Sequence, residues 1–372
     1  MPKVLKKRRE VIGMKIMPWA RAMRCLVFLT VFLIASSVSA QQPGAGSEKK
    51  EETSKFYKGK IITFIVGSRA GGSYDTVGRI LSEYLIKYTG ATVIVKNVEG
   101  GGGIQGANTI YNSKPDGLTI GIVSAGMMQA QTLEGKGVKF DLKKLTWLGR
   151  TLTTPDCAVA SAKSKLKTAE DLISAKSFKE GNAGAGSIGY LKSVLRSEAV
   201  GWNAEMVSGY ANTSEMLLAL IRGEVDVVST TWDTIEPFAK SKEVVPLYAE
   251  GPTPITGFPE IRILTEIPAV KNRLSERGKD LLYLNAQIGA DGLGRMVAAS
   301  PGIPSDRAAY LEEVIQKKIL ADPDFISRLQ KGNQYTVSPL SGSDTLKEIQ
   351  RLIGIIEKYR SVIEEGLKKR QR

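Results

Sequence analysis

The chain contains no histidine. That absence removes Ser-His-Asp and Cys-His catalysis and every zinc site that needs an imidazole ligand, and it tilts the reading away from enzymes. Cysteine is nearly missing as well. Of Cys25 and Cys157, the first lies in an N-terminal apolar run, so Cys157 has no partner for an internal disulfide. The plain reading of Cys157 is a buried free thiol, because no histidine can activate it. The G-x-x-x-x-G-K-[ST] phosphate loop and the G-x-S-x-G elbow are also missing, and there is no tandem repeat. At 42% hydrophobic and 24% charged residues the chain is not disordered, collagenous or polytopic, and 372 residues suggest two domains.

A net charge of +14 would suggest a nucleic-acid binder, were it spread evenly. It is not. The first forty residues hold eight Lys and Arg against Glu10 alone, followed by the apolar run Cys25 to Ala35 and the small residues Ser36 to Ala40. A basic segment, a short apolar run and Val38-Ser39-Ala40 read as a signal peptide cleaved after Ala40. Its rival is an uncleaved anchor, but the run falls short of the roughly 20 residues that span a bilayer. From Gln41 onward 44 basic residues face 37 acidic ones, a net +7. That is a mild bias toward anionic partners, too weak to imply nucleic acid.

Residues 41–58 are polar and read as a flexible leader. Structure begins with the β-branched strand 61–66, the loop Gly67-Ser-Arg-Ala-Gly-Gly-Ser-Tyr74, and an amphipathic helix from Asp75 to near Gly90 carrying Val77, Leu81, Tyr84 and Leu85 on one face. A strand over 91–98, the loop Gly100 to Gly103, a short helix over 104–113, the turn Pro115-Asp-Gly117 and a strand over 119–124 follow. Further on, Thr168-Ala-Glu-Asp171 opens a helix as a capping box, and Gly181 to Gly186 precedes a helix from Ser187. Strands are expected over 204–207, 225–229 and 244–248, with a helix over 213–222. Strands alternating with helices imply βαβ units and a parallel sheet, an α/β fold. The last third turns helical over 305–320, 323–331 and 343 to about 367.

Glycine-rich turns that open helices gather backbone N–H groups and the positive end of a helix dipole at one spot, which binds anions. The pattern G-x-G-x-x-G occurs at Gly101/Gly103/Gly106 and at Gly184/Gly186/Gly189. A dinucleotide site would also need an acid ending the next strand. Ser124 ends the first, and Glu205 sits at the start of the second, so no nucleotide cofactor, and no cofactor or metal at all, is expected. Two anion-binding loops in separate halves fit a clamshell better.

The loops also carry a resemblance. Gly71-Gly72-Ser-Tyr-Asp75-Thr-Val-Gly-Arg79 resembles the G-G-x-x-D-x-x-x-R opening of the extracytoplasmic solute receptors of tripartite tricarboxylate transporters, the Bug or TctC-like family. Asn97 to Gly103 is similar to its second glycine loop, Pro115 to Thr119 to its P-D-G-x-T turn, and Gly184-Ala-Gly-Ser187 to the glycine loop of its second lobe. Ser208-Gly-Tyr210, Gly223-Glu-Val-Asp226, Phe258-Pro-Glu260 through Pro268, and Val297 to Pro304 follow in order.

The resemblance implies a type II periplasmic-binding-protein fold: two α/β lobes, crossing hinge strands and C-terminal helices. It divides the chain into a signal peptide (1–40), a leader (41–58), the first part of lobe one (59–156), lobe two (157–290), and a hinge return with C-terminal helices packing mostly on lobe one (291–372). It implies a monomeric, non-enzymatic periplasmic receptor that hands a small organic carboxylate to a two-component integral membrane permease, with no nucleic-acid partner. Gly71, Gly72, Ser73 and Tyr74 would offer donors, with Asp75 meeting a ligand amine or water, or only capping its helix. Ser124 and Ala125 would line the crevice. Gly184, Ala185, Gly186 and Ser187 would take a distal carboxylate, with Tyr210 and Asp233 closing the wall; either tyrosine could instead simply pack. Trp232 could stack on an aromatic ligand or belong to the core, and Arg79 reads as a structural ion pair. Arg69, Tyr190 and Ala211-Asn212 depart from the family pattern. Arg69 is expected to add a charge-assisted contact to an acidic ligand. The rival readings are a secreted α/β enzyme, a ligand sensor for a signalling kinase, and a basic surface or scaffold protein.

Overall fold

β-Branched apolar runs too short for helices form the three parallel strands of the first sheet. In the computed structural model, which describes residues 45–370 except 134, 185, 186, 211 and 334, β1 (Ile61–Val66) pairs in parallel with β2 (Thr92–Asn97) on one side and β3 (Thr119–Ser124) on the other. The expected signal peptide over 1–40, with Cys25, lies outside the described residues. The helix Ser73–Thr89 connects β1 to β2, burying Val77, Leu81, Tyr84 and Leu85 against the sheet. It stops at Gly90, whose φ of +68° favours glycine and whose N–H donates to the Ile86 carbonyl.

The chain then lays β4 (Thr146–Thr153) in this sheet and passes, through Thr154 and Pro155, into a second one. There β5 (Asp156–Ser161), β6 (Phe178–Asn182), β7 (Ala204–Ser208), β8 (Val227–Thr231) and β9 (Val244–Ala249) stand in the order β7-β6-β8-β5-β9. After the helix Glu276–Ile288 the chain returns, adding β10 (Arg295–Ala299) and later β11 (Thr336–Leu340), so the first sheet reads β11-β4-β10-β3-β1-β2. The two sheets share one plan. Each has a parallel trio, β2-β1-β3 or β7-β6-β8, extended by an antiparallel strand that has just arrived from the other sheet, β10 or β5. Because these crossing strands run antiparallel, their first residues, Arg295 and Asp156, stand at the same edge as the last residues of the parallel strands. The two crossing segments are tied, the Thr154 N–H donating to the Ala290 carbonyl at 3.0 Å.

Three expectations change. Residues expected to form a flexible leader include the helix Ala45–Tyr57. Tyr57 anchors it, fully buried, stacked on Tyr310 at 5.3 Å and donating to the Gly117 carbonyl at 3.3 Å; a ring of this size covers about 150–250 Å². The single long helix expected over 343–367 is two, Gly342–Lys358 and Arg360–Lys369, broken at Tyr359. The break redirects the chain. Gly342–Lys358 lies on β4, whereas Arg360–Lys369 packs on the helix Ile188–Val200 of the second sheet, Arg370 pairing with Glu198 at 2.7 Å. The strand expected at 225–229 runs two residues later, Val227–Thr231. From Lys49 onward the chain forms one compact unit, and no helix among the described residues is long and apolar enough to cross a membrane.

Candidate functional site

The common edge of the two sheets encloses a cavity of about 670 Å³. In open α/β sheets ligands bind outside the carboxyl ends of the strands, and that is where this cavity sits. From the first sheet it is lined by Ser73, Tyr74, Ser124 and Ala125. From the second come Asn182, Ala183, Ser187, Gly189 and the end of β8, Ser229 to Thr231. The two crossing strands supply its floor with Asp156 and Arg295.

Of the residues singled out in the sequence, Ser73, Tyr74, Ser124, Ala125 and Ser187 therefore meet in one cleft. Ser187 also caps the helix Ile188–Val200, its hydroxyl accepting from the Tyr190 N–H. Ala185 and Gly186 lie outside the described residues, as does Ala211, and Gly184 is not part of the wall. Asp75 is not either. It is 3% exposed and fully engaged within lobe one: one carboxylate oxygen accepts from the Gly71 N–H at 2.8 Å and from Arg79 at 2.9 Å, the other from Asn97 at 2.9 Å. Burial pushes its carboxyl up, but these bonds outweigh that and hold it below the ordinary range. Asp75 thus braces, through Gly71, the loop that presents Ser73 and Tyr74, and neither Gly71 nor Gly72 is part of the wall. The expected Arg79 ion pair is this one.

Tyr210 is partly buried against the apolar cluster around Leu217, Val228 and Trp232, beside Gly181. Trp232 is fully buried and meets Phe258 edge-on at 4.7 Å, which makes it core. Asp233 follows it outside the cavity wall, with Oδ1 buried and without a hydrogen-bond partner. Arg69 pairs with Glu99 at 3.0 Å and both are exposed. They border a neighbouring cavity of about 550 Å³ within lobe one, which shares Tyr74, Gly102, Ser124 and Met127 with the cleft. Its charge is already matched there, away from the cleft floor.

The G-x-G-x-x-G pattern has a packing explanation. A Cβ on Gly106 would come 2.6 Å from the Cα of Gly67, so glycine lets the helix Ile104–Tyr111 touch the first loop. Gly103, at φ +108°, makes the turn before it.

Beneath the cleft the second lobe buries a set of charges that the sequence reading missed. Lys192 pairs with Asp156 at 2.5 Å and Glu250 at 2.9 Å, and Arg196 pairs with Glu250 at 2.8 Å and with Glu180. Burial alone would raise Glu250, but Arg196 and Lys192 hold it at about 2. Glu180 sits above its ordinary value because burial outweighs the pull of Arg196. Lys192 and Arg196, four residues apart on one helix, were the available cue, but their carboxylate partners come from three other segments. Arg295 had no cue at all. It is 3% exposed, its guanidinium lies 4.5 Å from the Tyr335 ring centre and 5.2 Å from that of Tyr74, and it donates to Thr154 Oγ1 at 3.1 Å and Ser73 Oγ at 3.2 Å.

Comparison with known proteins gives a family-model match over residues 77–275, to the tripartite tricarboxylate transporter family receptor. A UPF0065 protein in the tcbD-tcbE intergenic region of Pseudomonas sp. (strain P51) is 25% identical over 346 residues, 91% of this chain and 94% of that protein. Another, from the TAR-I ttuE-ttuC' intergenic region of Agrobacterium vitis, is 26% identical over 219 residues, 58% of this chain; the match spans 61% of that relative's length. Among solved structures, a TctC solute binding protein from Polaromonas superposes with a TM-score of 0.66 at 21% identity, covering 81% of this chain and 99% of that one. An R. palustris protein with adipate (TM-score 0.62, 18% identity, 82% and 97% covered) and MatC from Rhodopseudomonas palustris with bound malate (0.59, 19%, 82% and 99%) share the fold.

Proposed function

The chain belongs to the tripartite tricarboxylate transporter receptor family, and from that premise we propose that it binds a small organic carboxylate in the cleft between its two sheets and delivers it, in the periplasm, to a two-component membrane permease. The observation that carries this reading is the cleft itself. It has the volume of a small-molecule site, and both sheets contribute their strand ends to it. A ligand bridging Ser73 and Tyr74 on one side and Asn182 and Ser187 on the other favours approach of the lobes, with the paired crossings at Thr154 and Ala290 as hinge. Closure is the signal that a permease can read. The malate and adipate bound by the two Rhodopseudomonas proteins make dicarboxylates the first candidates.

Thermal unfolding against a panel of organic acids tests the reading. A ligand at 100 times its dissociation constant stabilises the native state by about 2.7 kcal/mol, so a carboxylate that raises Tm by several degrees supports the receptor, and a panel with no shift overturns it.

A further inference from the structure

Three cations are buried among the described residues: Lys192, Arg196 and Arg295. The first two each touch two carboxylates. Arg295 touches none. Its partners are hydroxyls, those of Thr154, Ser73 and Tyr335, and two aromatic rings, and its Nε, also buried, donates to nothing. Asp156, the acid at the matching position of the other crossing strand, is committed to Lys192 and to the Ala290 N–H at 3.0 Å. A guanidinium taken out of water without a counter-charge is costly, and this one stands on the floor of the cleft.

We infer that Arg295 receives the carboxylate of the ligand. The inference rests on the receptor reading above and deepens it by assigning the charge that selects an acid over its neutral analogue. With Nη1 held by Thr154, the edge formed by Nε and Nη2 offers donors to a planar carboxylate in a two-point contact. The Ser73 hydroxyl, already on Nη2, can turn to donate to the same oxygen. Tyr74 and Tyr335 both pack against the guanidinium and restrict its movement. The acid thereby supplies the contacting counter-ion, and in the empty receptor no carboxylate touches this cation.

The test is isothermal titration of the protein with malate, adipate and benzoate, and with their primary amides, in wild type, Arg295→Met and Arg295→Lys. In wild type an acid binds at least about 10-fold more tightly than its amide. In Arg295→Met that acid weakens by about 10- to 100-fold, the span of a charge-assisted hydrogen bond, whereas the amide changes less than twofold; Arg295→Lys lies between. The empty Arg295→Met variant keeps or raises its Tm, because an unpaired buried cation has gone; a purely structural arginine would lower it. An acid bound within twofold by Arg295→Met overturns the inference and leaves the receptor standing. So does wild type that binds acid and amide alike, a comparison that needs no variant to fold. Wild type that binds no acid overturns the receptor reading, and this inference with it.

Discussion

Replacing Arg196 by methionine isolates what the buried ion cluster contributes to the second lobe. Arg196 is fully buried and serves Glu180 on β6 and Glu250 just after β9. In its absence Glu250 keeps Lys192 at 2.9 Å, but Glu180 keeps only the Ser193 hydroxyl at 2.6 Å. An uncompensated buried carboxylate costs about 3–5 kcal/mol. Protonation limits that cost. Neutralising a carboxyl of ordinary value 4.5 at pH 7 takes about 3 kcal/mol, at about 1.4 kcal/mol per unit. The variant should therefore lose about 3 kcal/mol at pH 7, a large share of a stability that is typically 5–15 kcal/mol. The loss carries its own pH signature. Native Arg196→Met binds a proton that its unfolded chain releases above pH 4.5, so the deficit against wild type shrinks by up to about 1.4 kcal/mol for each unit between pH 7 and pH 5. Urea unfolding followed by the fluorescence of the buried Trp202 and Trp232 measures both quantities. A loss below 1 kcal/mol at pH 7, or a deficit that grows as the pH falls, would refute the reasoning.

Asp291 is buried, and burial, together with nearby Asp156, pushes its carboxyl up to about 6. Its native form thus holds a proton that the unfolded chain has lost above about pH 4, so stability falls between pH 4 and 6 and the penalty is full above pH 6. Asp291→Asn should be more stable than wild type by about 3 kcal/mol at pH 8, with the gain gone below pH 4; a gain independent of pH in denaturant titrations would sink the assignment. Gly106→Val should cost about 1–3 kcal/mol by forcing the helix away from Gly67. Gly189→Ala, whose Cβ would rest 3.6 Å from Asn182 Oδ1 in ordinary contact, should cost nothing or gain up to about 1 kcal/mol; equal melting shifts for the two would contradict the packing account. Cys157 is fully buried and burial pushes its thiol well up, so a thiol reagent should label it only at the rate of global unfolding, and fast labelling of the native protein would disprove its inertness.

Local chemistry was legible in the residues. The strand Thr119–Ser124 and the helix Thr213–Arg222 fall where apolar periodicity places them, and Thr168 and Asp171 form the capping box their spacing announces. The glycine loops were legible for the same reason. A turn at φ +108°, as at Gly103, or a backbone approach as close as Gly106 to Gly67, must be written as glycine wherever it occurs. That is why the loops carried the resemblance. Of the residues those loops singled out, Ser73, Tyr74, Ser124, Ala125 and Ser187 line the cleft, whereas Asp75, Arg69, Tyr210 and Asp233 are not part of its lining.

The rest depended on partners distant in sequence. β6 reads Phe-Lys-Glu-Gly-Asn, a poor strand by pattern, because its buried Glu180 is matched by Arg196 from the following helix. β4, β10 and β11 exist because they pair with one another across the return of the chain. Sequence alone determined that this chain builds two α/β halves with glycine turns opening their helices, since turn geometry and apolar period are properties of neighbouring residues. Only the tertiary structure decided which charges those halves leave unmatched. Asp156 and Arg295 open equivalent crossing strands, yet one is neutralised by Lys192 and the other meets only hydroxyls and rings. Whether a buried charge is paired depends on what folds against it, and no residue records that in its own neighbourhood.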